Sequence, residues 1–135
     1  MSWAFEAVSD GFDLHFAGRL VVRHRESCPA LVIARGAPEI AMVRGNFRIE
    51  DAPQDRHGLP GWAREGDSVR FSAPESPGAV LAWHGNRLAL RALDPAFDRL
   101  WLHFHAEPGE AVWGGGEQMS YLALNGRAFP MWTSE

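Results

Sequence analysis

Short runs in which apolar and polar residues alternate recur along this sequence, whereas the helical spacing of apolar residues is never sustained beyond about one turn. The runs are separated by 14 glycines and 9 prolines. Alternation places every second side chain on the same face of an extended strand, and glycine and proline end strands at turns. The pattern therefore predicts an all-β fold built from short antiparallel strands.

The clearest strand signal is the segment 79–92, in which a Gly-Asn dipeptide separates two alternating runs. A two-residue turn at this dipeptide pairs Trp83 with Leu88 and Leu81 with Leu90. All four side chains then lie on one face, as expected of a hairpin that covers a core. Further strands are expected at 19–25, 30–35, 67–73 and 99–106.

Two segments interrupt this regular pattern. Between 39 and 51 the apolar positions change phase, an offset that a β-bulge at Gly45 and Asn46 would accommodate. Residues 52–65 contain two prolines and two glycines. We expect a long loop there, which in a compact domain is either functional or mobile.

The composition limits the classes of function. A chain of 135 residues, 46% of them hydrophobic, is expected to form one globular domain. All 13 basic residues are arginine and the net charge is −4, so there is no basic surface for nucleic acid. The absence of lysine excludes a Walker-type phosphate loop and a lysine Schiff base.

The cysteine content and the N-terminal residues indicate the compartment. Cys28 is the single cysteine of the sequence and lacks an intrachain partner, which favours a reducing environment. A buried or inert thiol is a simpler interpretation of Cys28 than a nucleophile, because no base is near it in sequence. The first residues lack a basic region, and no run approaches the roughly 20 apolar residues of a membrane span. We expect a cytoplasmic protein without a membrane partner.

His103 and His105 are two residues apart on an expected strand, so their side chains project from the same face. A metal site would need a third ligand. The candidates for that ligand are Asp98, Glu107, His84 and His24. No spacing selects among them, and exposed or core histidines explain the pattern more simply than a metal site does. We therefore predict neither a metal nor a cofactor.

The segment 111–135 concentrates aromatic, carboxylate and amide side chains. It contains the strings Trp113-Gly-Gly-Gly-Glu-Gln-Met-Ser-Tyr121, Leu124-Asn-Gly-Arg127 and Phe129-Pro-Met-Trp-Thr-Ser-Glu135. Consecutive glycines remove the Cβ atoms and allow a ligand or another backbone to approach closely. A plain turn between strands is an equally simple explanation of the glycines taken alone.

These strings resemble the N-terminal domain signature of the glycoside hydrolase family 31 α-glycosidases. That signature is, loosely, an aromatic residue followed by Gly-x-Gly-Glu, an Arg-Gly or Asn-Gly-Arg turn, and a Trp-containing strand that ends on a carboxylate. The spellings Gly-Gly-Gly-Glu-Gln and Trp-Thr-Ser-Glu resemble the sulfoquinovosidase branch. The motif resemblance covers about the last 25 residues, and before them it is architectural.

The resemblance implies an antiparallel β-sandwich of the galactose-mutarotase-like type over residues 1–135, followed in the family by a catalytic (β/α)₈ barrel. Retaining hydrolysis needs two carboxyl groups about 5 Å apart, and in the family both belong to the barrel. A barrel requires roughly 200 residues or more, so none is contained in this chain. We therefore expect an incomplete sandwich that carries no catalytic residue and is inactive without the barrel.

The resemblance also implies that residues 111–135 contact the sugar substrate. Glu135 matches the carboxylate that reaches a sugar hydroxyl, and Gln118 and Trp132 occupy positions from which they could line the pocket. Glu117 is better explained as a partner for backbone amides in the glycine turn, although spacing alone leaves open an acid/base pair of Glu117 and Glu135. Trp132 taken singly is equally well explained as a core residue.

Two functions remain to be distinguished. The first is the carbohydrate-contacting segment of a retaining α-glycosidase, acting on α-sulfoquinovosides together with its barrel domain. The second is a free-standing sandwich that binds carbohydrate without cleaving it. Because an incomplete sandwich leaves strand edges such as 99–106 unpaired, we also expect the isolated chain to be marginally stable or to self-associate.

Overall fold

The computed structural model describes residues 2–74 and 76–111. Within these ranges the chain forms strands and turns, and no helix there is long and apolar enough to cross a membrane. The strands in chain order are β1 (Trp3–Val8), β2 (Gly11–Phe16), β3 (Arg19–Arg25), β4 (Leu31–Arg35), β5 (Glu39–Val43), β6 (Asn46–Glu50), β7 (Gln54–Gly58), β8 (Gly61–Arg64), β9 (Ser68–Ala73), β10 (Ser76–His84), β11 (Arg87–Ala92) and β12 (Arg99–Leu102).

The strands form sheets in the orders β1-β2-β3, β11-β10-β9-β8, β12-β4-β7 and β5-β6. Every pairing is antiparallel, so the predicted all-β antiparallel class is confirmed. The chain divides into two compact units, Met1–His105 and Ala106–Glu135. All of the sheets formed by the described residues belong to the first unit.

Aromatic side chains join the sheet β1-β2-β3 to the sheet β11-β10-β9-β8. The ring of Phe12 lies 5.3 Å from that of Trp62 and 5.8 Å from that of Phe71. Phe5 stacks on Trp83 at 6.0 Å. These centroid distances are in the favourable range for aromatic pairs, and Phe12 and Phe71 are fully buried. The two sheets therefore pack face to face around one hydrophobic core.

The predicted hairpin at 79–92 is confirmed in both turn and register. Trp83 pairs with Leu88 and Leu81 pairs with Leu90 across β10 and β11. Leu81 and Trp83 are buried, and their two partners are half-buried. The local pattern was sufficient here because a two-residue turn leaves a single register that puts all four apolar residues on the core face.

The predicted β-bulge at Gly45 and Asn46 is wrong. β5 and β6 form a tight hairpin whose turn residues, Arg44 and Gly45, have φ of 51° and 79°. Positive φ at both central positions is the conformation of a type I′ turn, which joins two twisted strands directly. Backbone register then pairs Met42 with Phe47. The apolar positions between 39 and 51 thus change phase because a tight hairpin turn separates the two strands.

The predicted loop at 52–65 is also wrong, because two strands lie within it. β7 pairs with β4, and β8 pairs with β9. The residues of β7, Gln-Asp-Arg-His-Gly, show no alternation of apolar and polar types. Their extended conformation comes from pairing with a strand distant in sequence, and strand propensity is overridden by such contacts.

The strand expected at 99–106 is shorter than predicted, although the backbone remains bonded beyond β12. The amide of His103 donates to the carbonyl oxygen of Ala30 at 2.8 Å. The amide of His105 donates to the carbonyl oxygen of Val21, also at 2.8 Å. The chain therefore passes from the side of β4 to the side of β3, and this path positions residues 103–105 beside β3.

Candidate functional site

The residues that the sequence predicts to contact substrate are Glu135, Gln118 and Trp132. All three lie outside the residues that the structure describes, as does Glu117. Their roles therefore stay predictions. Among the described residues that line a cleft, residues 103–105 are the nearest in sequence to these predicted contacts.

A cleft of about 210 Å³ lies between the end of β3 and residues 103–105. Phe104, on one wall of the cleft, is 61% exposed. Cys28 is an exposed free thiol, so of the two alternatives for this cysteine, buried or inert, the buried one is wrong. The residues that line the cleft are Arg23, Arg25, Cys28, His103, Phe104 and His105.

Asp13, a buried carboxylate on β2, holds the two arginines of the cleft. Its Oδ1 accepts a hydrogen bond from Arg25 Nη1 at 2.8 Å and from Arg23 Nε at 3.3 Å. Its Oδ2 accepts a bond from Arg23 Nη2 at 3.2 Å. Burial by itself would raise the pKa of Asp13, but the hydrogen bonds and charges of Arg25 and Arg23 outweigh it and lower that pKa.

Arg25 is further fixed by backbone acceptors. Its Nη1 donates to the carbonyl oxygens of Phe12 at 3.0 Å and His24 at 2.7 Å. Its Nε lies 3.5 Å from a carboxylate oxygen of Asp10. A guanidinium with these partners stabilises the junction of β2 and β3. The exposed phenyl ring of Phe104 and the exposed imidazole of His103 are then the groups that the cleft offers for contact with other surfaces.

His103 and His105 do not form a metal centre with any other described residues, among which no group of three metal-ligating side chains occurs. His24, one of the candidates for a third ligand, lies in the core instead. Its Nε2 bonds the carbonyl oxygen of Pro60 at 3.0 Å, and its Nδ1 accepts the amide of Ala30 at 3.3 Å.

The sequence interpretation missed the cluster of Asp13, Arg23 and Arg25. The signal was present, because Arg23 and Arg25 are two apart on β3 and so point the same way. The sequence alone does not give the register of β2 against β3, and this register sets Asp13 directly opposite Arg23.

Comparison with known proteins extends the resemblance over the whole chain. No family model matches the chain. A sulfoquinovosidase from Agrobacterium fabrum is 45% identical over 133 residues, which is 97% of this chain and 20% of that protein. One from Escherichia coli is 35% identical over 144 residues, covering 100% of this chain and 21% of that protein.

A solved structure has the same fold. It is a family 31 sulfoquinovosidase from E. rectale in complex with the aza-sugar inhibitor IFGSQ, with a TM-score of 0.76 and 29% identity over 98% of this chain. The chain is related to the sulfoquinovosidases of glycoside hydrolase family 31. The resemblance that was first carried by the segment 111–135 is thus confirmed by similarity along nearly the full sequence.

The chain spans about a fifth of the length of these relatives. Its similarity to them is to their N-terminal part, which agrees with the β-sandwich expectation.

Proposed function

We propose that this chain is the N-terminal β-sandwich segment of a retaining α-glycosidase that hydrolyses α-sulfoquinovosides. In this proposal residues 111–135 form a substrate-contacting loop, and the two catalytic carboxylates belong to a (β/α)₈ barrel outside the chain. The segment alone is inactive, because retaining hydrolysis needs both carboxyl groups at the scissile bond.

One observation carries the proposal: the 45% identity over 133 residues to the Agrobacterium fabrum sulfoquinovosidase. The E. rectale structure supports it independently, because the chain matches that protein at a TM-score of 0.76 and the protein was solved with a sugar-like inhibitor. The cleft at 103–105 adds no competing chemistry, since its arginines are committed to Asp13.

Three side chains are assigned to the sugar. Glu135 accepts hydrogen bonds from sugar hydroxyls, and a charged acceptor makes such bonds shorter and stronger than a neutral one. Trp132 packs against the C–H groups of the pyranose ring, and Gln118 supplies amide hydrogen bonds at the pocket wall. The groups that recognise the sulfonate belong to the barrel, so a neutral α-glucoside or α-xyloside is the competing substrate class.

A graft tests these roles. The chain replaces the matching segment of the Agrobacterium fabrum enzyme, and hydrolysis of a chromogenic α-sulfoquinovoside and α-glucoside is followed. We expect Glu135→Gln to lower kcat/KM by about a hundredfold, because a charge-assisted bond to the transition state is lost. Glu39→Gln, an exposed carboxylate on β5, is the matched control and leaves kcat/KM unchanged.

Equal kcat/KM for the Glu135→Gln and Glu39→Gln grafts would overturn the role of Glu135. Faster turnover of the α-glucoside than of the α-sulfoquinovoside would move the substrate class to neutral glycosides. Measurable sugar binding by the chain alone, with an inactive but folded graft, would support the second function, a non-catalytic carbohydrate-binding module.

The partners and the compartment follow from the same proposal. The chain packs with its own barrel domain and contacts a sugar, with no nucleic acid or membrane partner. The net charge of −4 supports the absence of a nucleic-acid partner, and the single cysteine supports a cytoplasmic location.

A further inference from the structure

A second cavity, which shares no lining residue with the cleft at residues 103–105, lies at one end of the two facing sheets. Its volume is about 260 Å³. It forms where β1 begins, where the chain enters β9, and where β10 turns into β11. The residues that line it are Ser2, Trp3, Asp67, Trp83, His84 and Gly85.

The aromatic part of this cavity is held rigidly. Trp83 is 7% exposed and stacks on Phe5 with ring centroids 6.0 Å apart. Its amide donates to the carbonyl oxygen of Asp67 at 3.0 Å, which fixes the entry to β9 against the end of β10. Trp3 packs against Phe16 at 4.7 Å. Two tryptophans are therefore fixed at the cavity before any ligand arrives.

Polar side-chain groups of the cavity have no hydrogen-bond partner within the described residues. Within the described residues, the side chains of Ser2, Asp67 and His84 are exposed and have neither a hydrogen bond nor an ion pair. The Nε1–H of Trp3 is buried and also has no acceptor in that part of the chain. A buried donor without a partner costs about 1–3 kcal/mol, so an acceptor that reaches it stabilises the site.

We propose that this cavity binds one neutral pyranose ring, with the half-buried indole of Trp3 against the ring and the Asp67 carboxylate accepting hydrogen bonds from its hydroxyls. The volume is below the roughly 300–1,000 Å³ of sites for drug-sized ligands, which suits a single ring. Sugars combine C–H faces that pack on aromatic rings with hydroxyls that need charged or neutral acceptors.

The charge of the cavity selects neutral rings. Among the described residues that line it, Asp67 is the one acidic side chain and none is an arginine. A carboxylate or sulfonate on the ring would meet the negative charge of Asp67 without a cation to balance it. This site is therefore distinct in specificity from the substrate pocket proposed above, and it does not depend on that proposal.

Titration of the 135-residue chain with methyl α-D-glucopyranoside, followed by amide chemical shifts, tests the inference. We expect saturable shifts at Ser2, Asp67 and Gly85, and at least tenfold weaker binding of methyl α-D-glucuronide, which carries a carboxylate. We expect Asp67→Asn to weaken binding of the glucoside about fivefold or more, because the charged acceptor becomes neutral.

Two further variants separate binding from folding. His84→Gln changes an exposed side chain beside the turn and should also weaken binding, whereas Glu39→Gln on β5 should leave it unchanged. The inference is overturned by the absence of shifts at the cavity up to about 50 mM glucoside, a concentration that would detect even a weak millimolar site. It is equally overturned by shifts that Asp67→Asn and His84→Gln leave intact.

Discussion

The imidazole of His24 bonds the carbonyl oxygen of Pro60 across 36 positions of the sequence, with Nε2 3.0 Å from the oxygen. A carbonyl can only accept, so Nε2 carries the proton. Nδ1 accepts the amide of Ala30 at 3.3 Å and therefore has none. The ring is fully buried and stacks on Phe12 at 5.1 Å. The fold thus requires the neutral, Nε2-protonated form of His24.

This requirement makes stability depend on pH. Burial lowers the pKa of His24 below its ordinary value of 6.5, with a further contribution from the positive charge of Arg25. Between the lowered pKa and about 6.5 the unfolded chain binds a proton that the folded chain does not. The contribution of His24 to the free energy of unfolding is therefore fully present above pH 6.5 and falls as the pH drops below it.

Urea unfolding at pH 7.5 and at pH 5.5 measures this difference. His24→Gln should be less stable at pH 7.5 and should lose most of the difference, because the titrating group is gone. His84→Asn, which changes an exposed histidine, should keep it. A pH difference of the same size in the His24→Gln chain would contradict the assignment.

Asp13 is predicted to contribute more to stability than an exposed ion pair of the same type. Asp13→Asn leaves Arg23 and Arg25 without their shared carboxylate in a partly buried place, and we expect a loss of about 2 kcal/mol. In Glu65→Gln the lost partner is Arg70, and both side chains of that pair are about half exposed, at 47% and 46%. Solvent screens that pair, so its loss should be the smaller one. Chemical denaturation of both variants measures the contrast, and equal losses would argue against it.

Alanine substitutions at Gly78 and Gly45 separate the cost of a steric overlap from the cost of a positive φ. Their φ values are nearly equal, at 81° and 79°. A Cβ on Gly78 would overlap the carbonyl oxygen of Phe71, whereas a Cβ on Gly45 would meet nothing within 4 Å. We expect Gly45→Ala to cost about 1 kcal/mol and Gly78→Ala about 3 kcal/mol or more. Similar melting temperatures for the two variants would show that the close approach at β9 is wrong.

The hairpin of β5 and β6 is predicted to promote self-association of the isolated chain. Ile40 and Met42 are 66% and 65% exposed, and no other strand of the described residues pairs with this two-stranded sheet. We expect sedimentation to show concentration-dependent association that Ile40→Thr with Met42→Thr reduces. A chain that sediments as a monomer at all concentrations would contradict this expectation.

The sequence predicted those parts of the fold that depend on local turns. The hairpin of β10 and β11 is one, because two residues separate its strands and their alternation leaves one register. It did not predict β7, whose polar residues become a strand through pairing with β4. Nor did it predict the cluster at Asp13, since the partners of a carboxylate depend on the register between strands.

The candidate site divides in the same way. The resemblance of 111–135 identified the family, yet the residues it assigned to the sugar, Glu135, Gln118 and Trp132, lie outside the described part of the chain. The cavity at Trp3 and Asp67 could not be predicted, because its walls come from three separate strands that meet only in the folded sheets.

We propose that this chain is the sandwich segment of a sulfoquinovosidase and depends on a barrel for catalysis. The most direct measurement is the rate of α-sulfoquinovoside hydrolysis by the 135-residue chain alone and by the same chain grafted onto the remaining part of the Agrobacterium fabrum enzyme. We predict turnover by the graft and none by the chain alone. Turnover by the chain alone, or a folded graft that hydrolyses neither the sulfonated nor the neutral glycoside, would contradict the account.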